Sequence, residues 1–415
     1  MQHRNKKVAL LTLGCRVNQS ESAVIEGTLR RHGVSIVGLE DNPDYCIINT
    51  CTVTGKSDSG SRYLIRRAAK TNAHVIVTGC FSQLKQSEVS RLQGVCEVVP
   101  NSDKEKIISR VLGYGVNPVY SLQDRARPYL KVQDGCNFSC TYCAVPMARG
   151  RSRSLPMDEV VKRASDIVEQ GYHEIVLTGI HLGSYGQDLF PKTSLARLIS
   201  KILSSTSLFR IRLSSIEINE IDDELIELLG DPRICKHLHL PLQSGSDLIL
   251  KLMNRNYTGK TFRKKLLHLS GISSDIAFGT DVIVGFPAEE HREFMLTHEM
   301  IKELPFAYVH TFPYSPRSGT LAANLKPQIA GNIISDRAEA VKGLSSAKKS
   351  AFTSAQANKI LDVIAEEENG DGDTTATTSN YLKIAIKSGR LCRGSVVFVR
   401  SVADNSDRLR GVMIS

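Results

Sequence analysis

The feature that most constrains the fold is a sixfold alternation of short apolar segments with longer segments of helical periodicity, which begins at Tyr129. Repeated strand-helix units pair their strands in parallel, and six units are too few to close an eight-stranded barrel. The pattern therefore predicts a partial (β/α)6 barrel, with functional residues at the C-terminal ends of its strands. The predicted strands are 129–133, 174–178, 210–214, 237–242, 276–285 and 307–312. The predicted helices include 157–170, 222–229, 261–269 and 289–304.

A second, smaller alternation precedes the barrel. Apolar segments at 8–13, 44–50 and 74–78 are separated by helical patterns, which predicts an open α/β sheet. Ser20 is a predicted N-cap of the first helix, and Gly33 is a predicted stop. The stretch 113–118 contains Gly, Pro and Asn and reads as a linker. We therefore expect an N-terminal domain over 1–118 and a core domain over 122–352.

The pattern changes again after about residue 350. Short strands are predicted at 360–365, 381–386 and 395–400, with an acidic, glycine-containing turn at 366–373. Several short strands in so small a region indicate a β-barrel. We expect a third domain over 353–415, so that the fold class is α/β with a small C-terminal β-barrel.

Composition and charge indicate the cellular compartment and the kind of partner to expect. The apolar run at 8–13 is too short for a signal peptide, and no run of 18 apolar residues follows, which predicts a cytoplasmic protein with no membrane contact. The net charge is +10, and the tail from 355 holds eight basic and eight acidic residues, so the surplus lies before it. Two basic stretches, 125–153 and 251–265, are compatible with a polyanionic partner or with solvated helix faces.

Three closely spaced cysteines, Cys136, Cys140 and Cys143, follow the first barrel strand. Three thiolates at this spacing can bind three corners of one 4Fe-4S cluster and leave the fourth iron without a protein ligand. A zinc knuckle would require a fourth Cys or His nearby, and buried structural thiols are the other alternative. The motif resembles that of the radical S-adenosylmethionine (SAM) superfamily, in which the open iron chelates SAM.

That resemblance implies which strand ends contact SAM. Thr178 and Gly179 close the second strand, where the superfamily places a turn for the methionine amino group. Ser214 closes the third strand, where a polar residue meets ribose or carboxylate. Gln243 and Gly285 close the fourth and fifth strands, and backbone near the fifth meets adenine. A glycine at a strand end is also an ordinary turn residue.

A second trio of cysteines is spread widely along the chain. Cys15, Cys51 and Cys80 each come directly after one of the three N-terminal strands. Loops at the C-terminal edge of an open parallel sheet converge on one crevice, so the three thiols can meet there. The alternatives are a second three-ligand cluster site and three unrelated loop thiols. The other cysteines, Cys46, Cys96, Cys235 and Cys392, lack such placement.

Four motifs together resemble the methylthiotransferase family. They are LGCRVNQ at 13–19, NTCTV at 49–53, TGC at 78–80 and the segment from QDGC at 133–136 to RGRSR at 149–153. The family has an N-terminal cluster domain, a radical SAM core and usually a C-terminal TRAM domain. Its members act on tRNA threonylcarbamoyladenosine, tRNA isopentenyladenosine or a ribosomal protein, and the segment 12–19 most resembles the first branch.

The resemblance implies the cofactors, the partners and the reaction. The cofactors are two 4Fe-4S clusters, on Cys136, Cys140 and Cys143 and on Cys15, Cys51 and Cys80, with SAM as co-substrate. One SAM supplies a 5′-deoxyadenosyl radical, a second methylates sulfur held at the other cluster, and the methylthio group passes to C2 of the tRNA adenine. No side chain is a catalytic residue in this chemistry. The expected partners are tRNA and a reductant such as flavodoxin or ferredoxin, with the enzyme a monomer.

Three features remain open at this level. Arg16, Asn18 and Gln19 could donate hydrogen bonds to the carboxylate of a threonylcarbamoyl group, or could instead support the cluster. The segment 373–382 resembles part of a TRAM domain, although its glycines are sparse and the tail has no net positive charge. A noncatalytic iron-sulfur protein that binds RNA is the competing class.

Overall fold

A computed structural model describes residues 6–120, 123–368, 372–387, 391–403 and 409–414. In these ranges no helix is both long enough and apolar enough to cross a membrane. The chain folds, in sequence order, into an open sheet flanked by helices, a partial barrel and a small closed barrel. The predicted fold class is therefore confirmed.

The N-terminal sheet has five parallel strands in the order β2-β1-β3-β4-β5, with apolar clusters on both faces. The predicted strands correspond to β1, β3 and β4, whereas β2 and β5 were not predicted because one has two residues and the other is not continuously apolar. The elements are β1 Lys7–Thr12, α1 Arg16–Arg31, β2 Ser35–Ile36, β3 Tyr45–Thr50, α2 Gly55–Ala68, β4 His74–Gly79, α3 Cys80–Leu84, α4 Gln86–Val89, β5 Val95–Val98 and α5 Lys106–Leu112.

The start of α1 differs from the prediction. The helix begins at Arg16 with Cys15 in extended backbone at the N-cap, so the prediction of Ser20 as the N-cap was wrong. Ser20 is buried one turn inside the helix, where its hydroxyl donates to the Tyr129 carbonyl at 3.2 Å. The residues after Cys15 are consequently held in a rigid helix rather than in a loop.

The middle of the chain forms two three-stranded parallel sheets, β6-β9-β10 and β11-β12-β13. Backbone hydrogen bonds join them, from Ile211 N to Arg233 O at 2.7 Å and from Ile216 N to His239 O at 3.0 Å. The result is the predicted partial barrel of six strands. Its elements are β6 Tyr129–Lys131, β7 Gln133–Asp134, α6 Val145–Arg149, β8 Arg153–Ser154, α7 Met157–Glu169, β9 Glu174–Thr178, α8 Leu195–Ser205, β10 Arg210–Leu213, α9 Asp223–Leu228, β11 His237–His239, α10 Asp247–Leu252, α11 Gly259–Ser270, β12 Ala277–Val284, α12 His291–Glu303, β13 Phe306–Pro313 and α13 Gly331–Ser354.

Alternation along the barrel strands separates an apolar outer face from a polar inner face. Ile211 and Leu238 pack in the large apolar cluster beneath the helices. Their neighbours Arg212, His237 and His239 lie on the opposite face, because successive strand residues point to opposite sides. The interior of the barrel is therefore lined with charged and hydrogen-bonding groups.

The C-terminal strands close into a barrel in the order β14-β15-β16-β18-β17. The acidic turn predicted at 366–373 was wrong in part, because β14 continues through Glu368; residues 369–371 lie outside the described ranges. The threonine-rich β15 was not predicted, although its β-branched residues suit a strand. The strands are β14 Ile360–Glu368, β15 Thr374–Thr378, β16 Lys383–Ile386, β17 Val396–Ala403 and β18 Leu409–Met413.

A buried ion network docks this small barrel on the first residues of β9 and β10. The Glu174 carboxylate accepts from Arg210 Nε at 2.6 Å and from Arg212 Nε at 2.7 Å. The same guanidinium groups donate to the carbonyl oxygens of Thr377 and Thr378, each at 2.9 Å. A buried guanidinium requires all of these acceptors, so the contact fixes the C-terminal barrel against the core.

Candidate functional site

Each thiol of the Cys136 trio has a hydrogen-bond donor. Phe138 N donates to Cys136 Sγ at 3.3 Å, and Val145 N donates to Cys143 Sγ at 3.4 Å. Arg255 Nη1 donates to Cys140 Sγ at 3.2 Å. Donors of this kind stabilise the thiolate form that binds iron and tune the potential of a cluster.

Hydrogen bonds to the segment between α10 and α11 hold the loop that contains these thiols. Thr141 N donates to the Met253 carbonyl at 3.1 Å, and Asn254 Nδ2 donates to the Ser139 carbonyl at 3.0 Å. Arg255, the next residue, is paired with Glu217 and its side chain is 4% exposed. Arg255 therefore faces the thiols. Although it belongs to the basic stretch 251–265, it is not available to contact a phosphate.

The loops after β1, β3 and β4 bring Cys15, Cys51 and Cys80 together, as the sheet topology predicts. Gly14 makes the approach possible, because its φ is +103° and a Cβ there would lie 2.9 Å from Cys51 Sγ. Burial raises the pKa of the Cys51 thiol, and the neighbouring Cys15 and Cys80 thiols raise it further. The three thiols thus share one electrostatic environment.

The sulfur atoms of neither cysteine trio lie as close together as the ligands of a single ion. In the described ranges, the one trio of His, Cys, Asp or Glu ligand atoms that lie within 4.8 Å of one another contains no cysteine. Thiolates around one tetrahedral zinc ion, with bonds of about 2.3 Å, would be about 3.8 Å apart. In each cysteine trio at least one pair of sulfur atoms is therefore more than 4.8 Å apart, and thiolate donors suit iron-sulfur clusters.

A buried guanidinium links the two cysteine loops. Arg149 donates to Asn18 in α1 and to Asp134 Oδ1 at 2.9 Å, two residues before Cys136. Asn18 Nδ2 in turn donates to the Leu13 carbonyl at 2.8 Å, directly before the Cys15 loop. Arg149 also pairs with the buried Glu21 at 2.9 Å. These contacts set the orientation of one trio relative to the other.

The strand-end residues predicted to contact SAM differ in what they offer. Ser214 Oγ is buried without a hydrogen-bond partner in the described ranges, which leaves it free to bind a ligand. Thr178 is the last residue of β9, and Gly179 packs against Gln133. Gln243 has φ +63° and its backbone pairs with Asp281 and Ile283. Gly285 packs against Ile334 of α13, so only its backbone is available.

The residues after Cys15 have separate roles. Asn18 is committed to the backbone contacts above, and Gln19 Oε1 accepts from Arg125 at 2.9 Å. Arg16 reaches the C-terminal barrel, where its guanidinium lies over the Tyr381 ring and donates to Tyr381 Oη at 3.2 Å. Arg16 and Gln19 both remain partly exposed, and Arg16 is the one that joins the Cys15 loop to the C-terminal barrel.

Sequence reasoning missed Tyr381. This residue has φ +70° in the turn between β15 and β16, and its ring lies 4.5 Å from the His237 ring of the core. Burial raises the pKa of Tyr381, but the guanidinium groups of Arg16 and Arg127 outweigh it and lower the pKa below its usual value. All three parts of the chain thus meet at one positively charged junction. The positive φ of Tyr381 is uncommon for a residue other than glycine and marks it as unusual. That signal is visible only in the folded structure.

Comparison with known proteins defines the class first. The model of the radical SAM superfamily matches residues 130–301, and that of the uncharacterized protein family UPF0004 matches residues 7–100. The fold resembles a radical S-adenosylmethionine methyltransferase, TsrM from Kitasatospora setae, with a TM-score of 0.56 at 14% identity over 75% of this chain and 77% of that one. The open barrel with three cysteines after its first strand is that of a radical SAM protein.

Whole-length relatives then define the family. The threonylcarbamoyladenosine tRNA methylthiotransferase MtaB of Bacillus subtilis is 38% identical over 95% of this chain and 93% of its own length. The Aquifex aeolicus protein of the same name is 36% identical over 91% and 96%. A tRNA-2-methylthio-N(6)-dimethylallyladenosine synthase of Thermodesulfovibrio yellowstonii is 30% identical over 99% and 100%. This chain belongs to the methylthiotransferase family of radical SAM enzymes, whose cofactors are iron-sulfur clusters and SAM.

Proposed function

We propose that the chain converts N6-threonylcarbamoyladenosine in tRNA to its 2-methylthio derivative. The observation that supports this substrate is the positive charge at the junction of Arg16 and Tyr381, beside the Cys15 trio. A threonylcarbamoyl group carries a carboxylate and a hydroxyl, whereas an isopentenyl group is hydrocarbon, so cationic side chains at this junction favour the former. The names of the MtaB relatives support the same choice.

In this proposal the two cysteine trios have different tasks. Cys136, Cys140 and Cys143 hold the cluster that binds SAM, and Cys15, Cys51 and Cys80 hold the cluster at which sulfur docks. The bound cofactors supply the adenosyl radical and the methylthio group. Ser214, with its unpartnered hydroxyl, contacts SAM together with Thr178, Gly179 and the backbone at Gln243 and Gly285.

The protein itself orients the two cysteine loops and excludes water from the inner face of the barrel. Arg149 and Asn18 hold the two loops in one geometry, and the docked C-terminal barrel keeps water from the start of the inner face. Positioning of reactants in this way converts separate encounters into one assembled step. The domains act together in this scheme, as an N-terminal cluster domain over 1–118, a radical SAM core over 122–352 and a TRAM-like domain over 353–415.

Two statements about partners belong to the same proposal. The open cluster requires an electron, which a low-potential carrier such as flavodoxin or ferredoxin would deliver. Both cysteine trios lie on one chain, so a second copy is not needed to complete the site and the enzyme works as a monomer.

Mass spectrometry of tRNA nucleosides tests the substrate. Deleting the gene should remove 2-methylthio-N6-threonylcarbamoyladenosine and leave the unmodified N6-threonylcarbamoyladenosine in its place, because the C2 methylthio step alone is lost. The isopentenyl counterpart should not change. Complementation with the intact gene should restore the nucleoside. Loss of the isopentenyl product with retention of the threonylcarbamoyl product would contradict the substrate and leave the family assignment intact.

Binding of tRNA should depend on the exposed lysines of α11. Arg263 of this stretch pairs with Glu303 at 2.5 Å, whereas Lys260 and Lys264 are exposed. Charge reversal of both lysines should weaken binding and lower the salt slope by roughly 0.9 for each phosphate that the protein no longer neutralises. Filter binding over a range of salt concentrations measures it. Lys201→Glu, on α8, is the matched control. An equal salt slope of tRNA binding in the double variant and in the control would show that the α11 lysines are solvated and do not contact phosphate.

A further inference from the structure

Three side chains of the types that can ligate metals meet on the inner face of the barrel, outside both cysteine trios. His239 lies at the end of β11, Asp281 in β12 and His310 in β13, and these strands are hydrogen-bonded neighbours. Asp281 and His310 are direct partners in the strand register. One ligand atom from each residue lies within 4.8 Å of the other two. Three side chains on adjacent strands of a parallel sheet are held rigidly, which suits a preorganised site.

The separations match those between ligands of one ion. His239 Nε2 lies 2.9 Å from Asp281 Oδ1, and His310 Nδ1 lies 3.3 Å from the same oxygen. Neighbouring ligands with metal bonds of about 2.1 Å are about 3.0 Å apart in octahedral geometry and about 3.4 Å apart in tetrahedral geometry. Both measured distances fall in or beside that interval.

A hydrogen-bonded tyrosine supports the ring of His239. Tyr308 Oη lies 3.2 Å from His239 Nδ1 and 2.8 Å from His237 Nε2. The hydroxyl has one proton, so when it donates to His237 it accepts from His239 Nδ1–H. His239 Nε2 contacts Asp281 Oδ1 at 2.9 Å through a proton, and a metal ion would take the place of that proton while the second ring nitrogen stays fixed on Tyr308.

The space for Tyr308 is built into the neighbouring strand. A Cβ at Gly279 would lie 2.2 Å from Tyr308 Cζ, so the ring occupies room that only glycine leaves. The ring is thereby held flat against β12 between the two histidines of β11. This placement keeps the supporting hydroxyl in position without any ligand.

We propose that His239, Asp281 and His310 bind a divalent first-row transition-metal ion such as Zn²⁺ or Fe²⁺. Two imidazoles and one carboxylate are the donor set that such ions prefer, and three protein ligands leave positions open toward the barrel interior. His310, whose side chain is 56% exposed, forms the rim of the site. The proposal does not depend on which nucleoside the enzyme modifies.

Zinc uptake by the iron-loaded protein tests the site. Anaerobic equilibrium dialysis against Zn²⁺, followed by elemental analysis, should show one equivalent less zinc in His239→Ala, Asp281→Asn and His310→Ala than in the parent protein. X-ray absorption at the zinc edge should show a nitrogen and oxygen shell at about 2.0–2.1 Å in the parent, distinct from sulfur at about 2.3 Å. That shell should be absent from each variant.

The controls separate this site from the rest of the molecule. His268→Ala, at an exposed position on α11, should bind as much zinc as the parent. Iron content should be equal in all variants, which shows that the cysteine trios are intact, and His310→Ala changes a half-exposed side chain without opening a buried cavity. Equal zinc in the parent and in the variants at His239, Asp281 and His310 would overturn the proposal. A zinc edge with sulfur neighbours alone would overturn it as well. Neither outcome bears on the nucleoside measurement.

Discussion

Replacing Cys136, Cys140 and Cys143 together by Ala is expected to abolish reductive cleavage of SAM and to lower the iron content from about eight to about four atoms per chain. In the proposed function these three thiolates hold the cluster whose fourth iron binds SAM, and each thiol accepts a hydrogen bond from a nearby donor. Iron analysis and chromatography of 5′-deoxyadenosine after addition of dithionite measure the two effects.

The reciprocal variant and a thiol control complete that experiment. Cys15, Cys51 and Cys80 replaced by Ala should also leave about four irons, but should retain SAM cleavage and lose methylthio transfer. Cys96 and Cys392, both exposed and outside the trios, should tolerate Ala without change in either measurement. Persistence of 5′-deoxyadenosine formation in the Cys136 variant would refute the assignment of that trio, and a parent protein with about four irons would refute the second cluster site.

The positions of the cysteines could be predicted because they depend on local patterns and topology. Each N-terminal cysteine follows an apolar strand, and parallel strands present their C-terminal ends at one edge. The six barrel strands could be recognised because each contains a short apolar run and because segments of helical periodicity separate them. β2, β5 and β15 escaped because they are very short or polar on one face.

Contacts between distant segments could not be predicted. Arg16 and Tyr381 are 365 residues apart, and Arg149 and Asn18 are 131 apart, so no periodicity relates them. Sequence placed Arg16, Asn18 and Gln19 in one loop with similar roles. The helix that starts at Arg16 instead turns Asn18 inward and leaves Arg16 beside the C-terminal barrel.

Charge composition was similarly misleading about the basic stretch 125–153. Arg127 pairs with Glu366 at 2.6 Å, Lys131 with Glu21 at 3.0 Å, and Arg149 is buried. Only burial decides whether a cation meets solvent, and the order of residues along a chain contains no information on burial by distant segments. Much of this positive charge therefore joins the parts of the chain, and α11 retains the exposed lysines that a polyanion could reach.

Arg149→Met is expected to loosen α1 from the core by about 1.5–3 kcal/mol, because it removes the guanidinium that Glu21 shares with Asp134, while Lys104 and Lys131 still pair with Glu21. The Arg149 side chain is 1% exposed, so water cannot take its place beside the carboxylates without opening the interface. Hydrogen exchange of the α1 amides in the iron-loaded protein measures the local opening free energy. Exchange should accelerate throughout Arg16–Arg31, including the turn that follows Cys15.

A double-mutant cycle with Glu21→Gln shows whether the ion pair itself is responsible. Removing both charges should cost less than the sum of the single changes, with a coupling of about 0.5–3 kcal/mol, since the two groups contact each other directly. The buried Lys104 loses its carboxylate in both backgrounds that carry Glu21→Gln, so that cost cancels in the cycle. Glu26 and Arg30 form a solvent-exposed pair at 2.9 Å on the same helix and serve as the control, with an expected coupling of about 0.3–0.5 kcal/mol. Additive effects at Glu21 and Arg149 would show that the guanidinium acts through packing and Asn18 instead, and the two cysteine loops would then be joined by shape rather than by charge.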